Sequence, residues 1–240
     1  MTDIGFSTGC IYKPGMPIID KTRLYHSLGA NAIELYFSMP SETNDFVTTE
    51  LVDELRKFSY VSIHAPRKEI RYGRSPTSDM VIENLKQLCE RTRVQGIVLH
   101  PSLVDDFDYL EDSRLPFLIE NENVNNNSNK WKLTGHFKDL VKNRSLGFVL
   151  DLYHIYQNDP SMKLAEDLIS VFGYKLKHMH VSGCAENGTH CPVYKAKNRD
   201  AISRTLKLNI KVPKIIEGLL TDDVVQTASK ELAFLRGYEK

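Results

Sequence analysis

One alternation organises this chain. Short runs of β-branched and apolar residues recur eight times, at Ile4–Ser7, Ala32–Tyr36, Tyr60–His64, Gly96–His100, Phe117–Glu120, Gly147–Asp151, Leu176–Val181 and Val212–Glu217. Segments with helical spacing lie between them, near residues 19–28, 47–58, 78–93, 131–143, 161–172, 198–208 and 221–236, with a weaker one near 103–112. Gly29, Gly96, Gly147 and Gly173 fall between helix and strand candidates, where tight turns favour glycine. Runs such as GIVLH and GFVLD are apolar throughout, which suits a parallel sheet covered on both faces rather than a half-wet antiparallel one. Eight βα units in 240 residues predict an α/β fold, a single (βα)8 TIM barrel spanning residues 1–240. A doubly wound open sheet is the alternative. It usually holds fewer strands and often a glycine-rich phosphate turn after the first, and GFSTGCIYKPG has neither GxGxxG nor GxxxxGK spacing. The polar stretch Asn121–Asn129 follows the fifth strand and is expected to top the barrel.

Lys+Arg and Asp+Glu both number 31, so the chain as a whole has no electrostatic reason to coat nucleic acid or an anionic membrane. Anion binding must be local. No run approaches the ~18–20 apolar residues of a membrane span, and MTDIGFSTGC lacks the basic start and apolar stretch of a signal peptide, so a cytoplasmic protein without a membrane partner is expected. Cys10, Cys89, Cys184 and Cys191 include no CxxC pair and are read as reduced thiols.

The chemical signal lies where the strands end. Six consecutive candidates finish in a residue of metal-ligand type: His64 (SIHAP), His100 (VLHPS), Glu120 (LIEN), Asp151 (VLDLYH), His180 (HMHVSG) and Glu217 (IIEG). In a barrel these ends converge on one rim. His154 lies three residues past Asp151, and His190 lies in the loop after strand seven, so both extend the cluster. Taken singly, each residue has a plainer role: a strand-end His is often a hydrogen-bonded structural residue, and an Asp or Glu can cap the next helix. Six in succession are hard to explain that way. Three carboxylates and several imidazoles buried together would push one another's pKa values apart unless a cation neutralised them. Nitrogen and oxygen donors without thiolate suit Zn²⁺, Mn²⁺ or Fe²⁺ better than Ca²⁺ or Mg²⁺, and the two oxygens of Glu120 can bridge two ions.

His178 points to the same side as His180 but one step deeper, and is read as a packing or supporting residue. His26 and His136 fall in helix candidates and are read as surface residues. Cys184 and Cys191 flank His190 in CAENGTHC, a spacing that matches no common structural zinc pattern. Glu122 and its neighbouring asparagines read as loop, and Trp131 as core.

The motifs SIHAP, VLHP, LIEN, LDLYH, MHVSG and IIEG, in this order, resemble the xylose isomerase-like TIM-barrel superfamily, and within it the endonuclease IV (AP endonuclease family 2) branch. The resemblance covers nearly the whole chain and implies one such domain. It implies zinc held by His64, His100 and Glu120 at a first site and by Glu120, Asp151, His180 and Glu217 at a second. His154 and His190 match two ligands of a third zinc, but the Asp that completes it in that branch is Gly188 here. The sugar isomerase and epimerase branch is similar too. Its single-metal quartet matches Glu120, Asp151, His180 and Glu217, and its two glutamates exchange the substrate proton, which implies Glu120 and Glu217 as catalytic acid and base.

Three functions follow. The first is hydrolysis of a phosphate ester, abasic-site DNA included, by clustered ions that activate water and stabilise a leaving oxygen. APRKEIRYGR, with Arg67, Lys68, Arg71 and Arg74, and VYKAKNR, with Lys195, Lys197 and Arg199, would supply local positive charge. The second is isomerisation or epimerisation of a small sugar or sugar phosphate at one metal, with Tyr12, Lys13, Glu34 and Arg67 on early rim loops as substrate contacts. The third is metal and ligand binding without catalysis. We take the first as the reading, zinc as the cofactor with Mn²⁺ as the substitute, and the second as the alternative.

Overall fold

A computed structural model of the chain describes residues 2–11, 16–44, 46–123, 134–142, 144–221 and 223–239. Strands β1 (Ile4–Ser7), β2 (Ala32–Tyr36), β3 (Tyr60–His64), β4 (Val94–Leu99), β5 (Phe117–Glu120), β6 (Gly147–Asp151) and β7 (Leu176–Val181) form seven staves of a closed barrel. A short hairpin, β8 (Gly183–Cys184) and β9 (His190–Cys191), precedes the eighth stave, β10 (Lys214–Ile216). All pairings around the barrel are parallel, and β10 closes it between β7 and β1, so the open-sheet alternative is excluded. His100 and Glu217 are the first residues beyond their strands rather than the last within them. Gly147 opens β6 as the strand candidate has it, whereas Gly96, expected to open its strand, lies inside β4; a side chain at either position would run into Leu118 of β5.

The helices are α1 (Ile18–Ser27), α2 (Thr49–Leu55), α3 (Pro76–Arg91), α4 (Phe107–Asp112), α5 (Thr134–Lys142), α6 (Leu152–Asn158), α7 (Lys163–Phe172), α8 (Arg199–Leu206) and α9 (Val224–Arg236). Their starts are written locally. The side chains of Thr48, Ser75, Asp106 and Asp223 each accept a hydrogen bond from a backbone N–H of the first turn, and Pro76 fixes φ at the head of α3. Helix α6 has no counterpart among the sequence candidates; it follows β6 without a break, and Leu152, Tyr153, His154 and Ile155 are buried in succession, so no apolar period marks it. Among the described residues no helix is long and apolar enough to cross a membrane.

Strand alternation sorts the core. Ile33, Leu35, Ile63, Ile97, Leu99, Ile119, Phe148, Leu150 and Val181 belong to the main apolar cluster, which the helices cover. The inward positions hold two small apolar groups, Ala32 with Tyr60 and Ile215, and Val98 with Leu118 and Val149. The other inward positions toward the C-terminal ends of the strands are polar: Glu34, Ser62 and His64, with His178 and His180, all buried. The hydrophobic layer thus stops partway up the barrel, and ionisable groups fill the rest.

The hairpin carrying His190 is tied down from two sides. Asn198 Oδ1 accepts from Cys184 N (2.8 Å), and the buried Glu231 of α9 accepts from the N–H groups of Val193 (2.8 Å) and Tyr194 (3.1 Å). Burial pushes the Glu231 carboxyl up to about 7 against those two donors. A carboxyl whose pKa rises on folding makes the folded state hold its proton more tightly, so stability is lost as pH climbs from the unfolded value toward about 7. Relative to the wild type, Glu231→Gln should therefore gain about 2 kcal/mol of unfolding free energy between roughly pH 5 and pH 8. Denaturant titrations at the two pH values would measure it, and parallel pH trends in the two proteins would contradict it.

Candidate metal centre

Glu120, at the end of β5, stands at the middle of the site and offers one oxygen to each side. Its Oε2 lies 3.1 Å from His100 Nε2 and 3.6 Å from His64 Nε2. Its Oε1 lies 3.0 Å from His180 Nδ1. That nitrogen is also 3.6 Å from Glu217 Oε1 and 4.0 Å from Asp151 Oδ2. Among the described residues three groups of ligand atoms are each compact enough to surround one ion: Glu34, His178 and His180 lower in the barrel, and at the rim His64, His100 and Glu120 beside Glu120, Asp151, His180 and Glu217, the two rim groups being those that meet at one carboxylate. His64 Nδ1 donates to Ala65 O (3.0 Å), which fixes the tautomer and leaves the Nε2 lone pair turned toward Glu120.

Asp151 serves two ends at once. Its Oδ1 accepts from His154 N (2.7 Å) and so caps α6, the plainer role a strand-end Asp can have, while Oδ2 is buried without a hydrogen-bond partner. Asn121, read as a loop residue, is fully buried. Its Nδ2 donates to Asp151 O (3.1 Å) and its Oδ1 accepts from Asp151 N (2.8 Å), locking the ends of β5 and β6 together. Glu122 is buried as well and accepts from Ser102 N (2.9 Å). The only sequence signal for Asn121 was its place immediately after Glu120.

The electrostatics call for a cation. Burial, reinforced by Glu120, pushes the Asp151 carboxyl well above its ordinary range. Burial likewise raises Glu217 to about 7. Burial would raise Glu120 too, but the imidazoles of His180 and His100 outweigh it and hold the carboxyl well below its usual value. Three carboxylates therefore cannot all ionise here on imidazole support alone. Glu120 Oε2 and Asp151 Oδ2 are buried without hydrogen-bond partners beside imidazole nitrogens, and a divalent ion would satisfy all of them. The donor set is nitrogen and oxygen without thiolate, the kind that suits Zn²⁺ or Mn²⁺.

The third expected ion finds less. His154 and His190 both line the cavity, with ring centroids 6.2 Å apart. His154 Nδ1 donates to Asn121 O (2.8 Å), and His190 Nδ1 bonds Ser182 Oγ (2.9 Å). Among the described residues, however, neither His belongs to a group of three ligands. Gly188 has no side chain to offer, and its carbonyl accepts from the hydroxyl of Tyr153, whose ring lies tilted against His190 with centroids 3.9 Å apart. Cys184 and Cys191 are free thiols outside these groupings. Burial, reinforced by His154, pulls His190 down to about 3.

The expected substrate contacts divide. Tyr12 and Lys13 lie outside the described residues, as does Trp131. Glu34 is not on a rim loop: it lies within β2, wholly buried, its side chain under the centre. Arg67 does reach the mouth, where its Nε donates to Tyr36 Oη (2.9 Å), and Lys68 lies beside it. Both line a cavity of about 280 Å³ that also holds His64, His100, Glu120 and Glu217. Arg71 and Arg74 turn away to pair with Asp105, Asp106 and Asp112, and among the described residues Lys195, Lys197 and Arg199 do not line the cavity.

Gly218 follows Glu217 and packs on the Cys191–Pro192 peptide, where a Cβ would come within 2.6 Å of backbone atoms. Gly218→Ala must therefore displace either Glu217 or the hairpin bearing His190. It is expected to weaken retention of the ion at the Asp151, His180 and Glu217 group by roughly tenfold or more, with an unchanged circular dichroism spectrum. Competition against a chelator would measure the loss, and wild-type retention would contradict the packing argument.

No family model matches the chain, and no curated protein matches it at a significant level. Among solved structures it is similar to endonuclease IV from Thermus thermophilus, with a TM-score of 0.72, 15% identity and 98% of each chain covered. It is also similar to a D-tagatose 3-epimerase-like protein, with a TM-score of 0.70, 14% identity, and 99% of this chain and 97% of that one covered. A third is the probable 3-DHS dehydratase AsbF of Bacillus anthracis, with a TM-score of 0.65, 13% identity, and 98% of this chain and 99% of that one covered. The fold is thus a closed, parallel (βα)8 barrel, shared with these structures. A nuclease, an epimerase-like protein and a dehydratase share it, so the fold leaves the reaction to the site.

Proposed function

We propose that the chain is a divalent-metal-dependent enzyme that hydrolyses a phosphate ester, with two zinc-type ions sharing Glu120. The observation that carries this reading is the division of Glu120 between two ligand groups, one oxygen toward His64 and His100 and the other toward His180. A one-ion enzyme would need only the second group and would leave the histidine pair without work. Ions held by these residues would supply activation of water near neutral pH and Lewis-acid stabilisation of the phosphoryl oxygens. The chain supplies the rest. Arg67 and Lys68 meet a phosphate at the mouth, the former with planar paired donors. His154 Nδ1 donates to Asn121 O, so its Nε2 carries a lone pair that accepts from a hydroxyl or water rather than from a phosphate oxygen.

The cavity favours a small phosphorylated substrate, with abasic-site DNA as the larger candidate. If DNA is bound, affinity should fall steeply with salt. Epimerisation or isomerisation of a sugar is the second reading, and it too has an observation behind it. Glu120, Asp151, His180 and Glu217 form a complete group by themselves, and both glutamates line a cavity of about 280 Å³. Four free thiols fit the expected cytoplasmic setting.

Elemental analysis of the purified chain, with turnover assays on phosphate esters, abasic-site oligonucleotide and ketoses, tests the choice. About two ions per chain with phosphate release supports hydrolysis. One ion with ketose turnover would replace it with the second reading.

A further inference from the structure

The mechanism leaves one buried group without work. Beneath the metal centre, Glu34, Ser62, Tyr60 and His178 surround the lower edge of His180, and Glu34, Ser62, His178 and His180 have no exposed surface. We infer that Glu34 is a positioning residue, a carboxylate that fixes the ring and tautomer of His180 so that Nδ1 presents its lone pair to the ion above. The inference rests on the metal-centre reading proposed above.

The geometry sets the tautomers in sequence. His180 Nδ1 faces Glu120, Asp151 and Glu217, at 3.0, 4.0 and 3.6 Å. His180 Nε2 faces the opposite way, 3.2 Å from Glu34 Oε2 and 3.1 Å from His178 Nε2. Both ring nitrogens face a carboxylate, Nδ1 that of Glu120 and Nε2 that of Glu34; with an ion between Nδ1 and the carboxylates above it, Nδ1 gives its lone pair and the single proton of the neutral ring belongs on Nε2, donated to Glu34. His178 Nε2 must then be bare, because two N–H groups cannot point at each other across 3.1 Å. Its proton sits on Nδ1 and is donated to Tyr60 Oη, 2.8 Å away. Ser62 Oγ donates to the same Glu34 oxygen (2.9 Å), holding the carboxylate in place.

This is the arrangement by which a metal-bound imidazole is oriented from behind, here supplied by a strand far from the ligands in sequence. It also explains why Glu34 lies under the centre without lining the cavity. His178, whose Nε2 is directed at His180, supports that ring rather than competing for the ion.

The experiment uses the full chain, stripped of metal and titrated with Zn²⁺ against a chelator and with Co²⁺ for its visible absorption. The wild type should saturate at two ions. Glu34→Gln, nearly isosteric, can turn an amide N–H toward His180 and disturb the tautomer. It should weaken one ion by roughly 10- to 100-fold and shift that ion's Co²⁺ bands, with the ion count at saturation unchanged and the metal-free melting temperature not lowered. Should Glu34→Gln fail to fold, Ser62→Ala decides: it should weaken the same ion a few-fold. Wild-type affinity and spectrum in whichever variant folds would overturn the inference while leaving the metal centre standing. So would a third ion in the wild type lost in both Glu34→Gln and His178→Gln, since Glu34 and His178 would then be ligands of their own ion. A wild-type chain that takes up no ion overturns both readings.

Discussion

Glu120→Gln should strip the chain of metal and reduce turnover on the order of 10³-fold or more without unfolding it. The amide keeps the shape of the carboxyl but gives up its charge, and with it the one group common to both ligand sets. Neither remaining set holds an ion well. His64 and His100 would be two imidazoles without a carboxylate, and Asp151, His180 and Glu217 would lose the oxygen nearest His180. The fold should survive because the main apolar core lies outside the barrel, between sheet and helices, away from this layer. Elemental analysis, turnover and a thermal melt on one preparation would decide. Wild-type ion content and activity in Glu120→Gln would sink the site assignment.

Gly5→Ala should prevent the chain from folding. Gly5 pairs with Ala32 across the β1–β2 ladder, and a Cβ there would lie 1.5 Å from the Ala32 carbonyl oxygen. That neighbour is backbone and cannot swing aside. The strands would have to separate by more than an ångström where β1 closes the barrel between β2 and β10. The expected cost exceeds about 4–5 kcal/mol, a large part of the whole stability of an ordinary domain. Circular dichroism and gel filtration of Gly5→Ala would check it, and a folded monodisperse protein with a wild-type melting temperature would contradict it. The two substitutions separate chemistry from architecture: one should lose the ions and keep the barrel, the other should lose the barrel.

Much of the fold was legible because it is written locally. The eight apolar runs and their continuous hydrophobicity each involve residues a few positions apart. The strand-end residues were legible for a related reason: the end of a parallel strand in a barrel has one place to go, the C-terminal rim. The two-residue alternation that puts His178 beside His180 also places Tyr60, Ser62 and His64 on one face of β3. Glu34 was misread as a rim residue because it lies mid-strand, and nothing local to AIELY says how far up the barrel its neighbours stand.

The sequence by itself determined the barrel and the chemical type of its rim, since both depend on short-range periodicity and on what each strand ends with. Only the tertiary structure decided which of those residues meet. The register of β2 on β3, and the closure of β10 onto β7 and β1, bring Glu34 beneath His180 and Glu120 between two ligand groups. The hairpin turn likewise brings the Gly188 carbonyl to the Tyr153 hydroxyl, 35 residues away in sequence. Spacing in sequence fixes the direction of a side chain along its own strand. The distance between side chains on different strands depends on the stagger and closure of the whole sheet, which no single segment encodes.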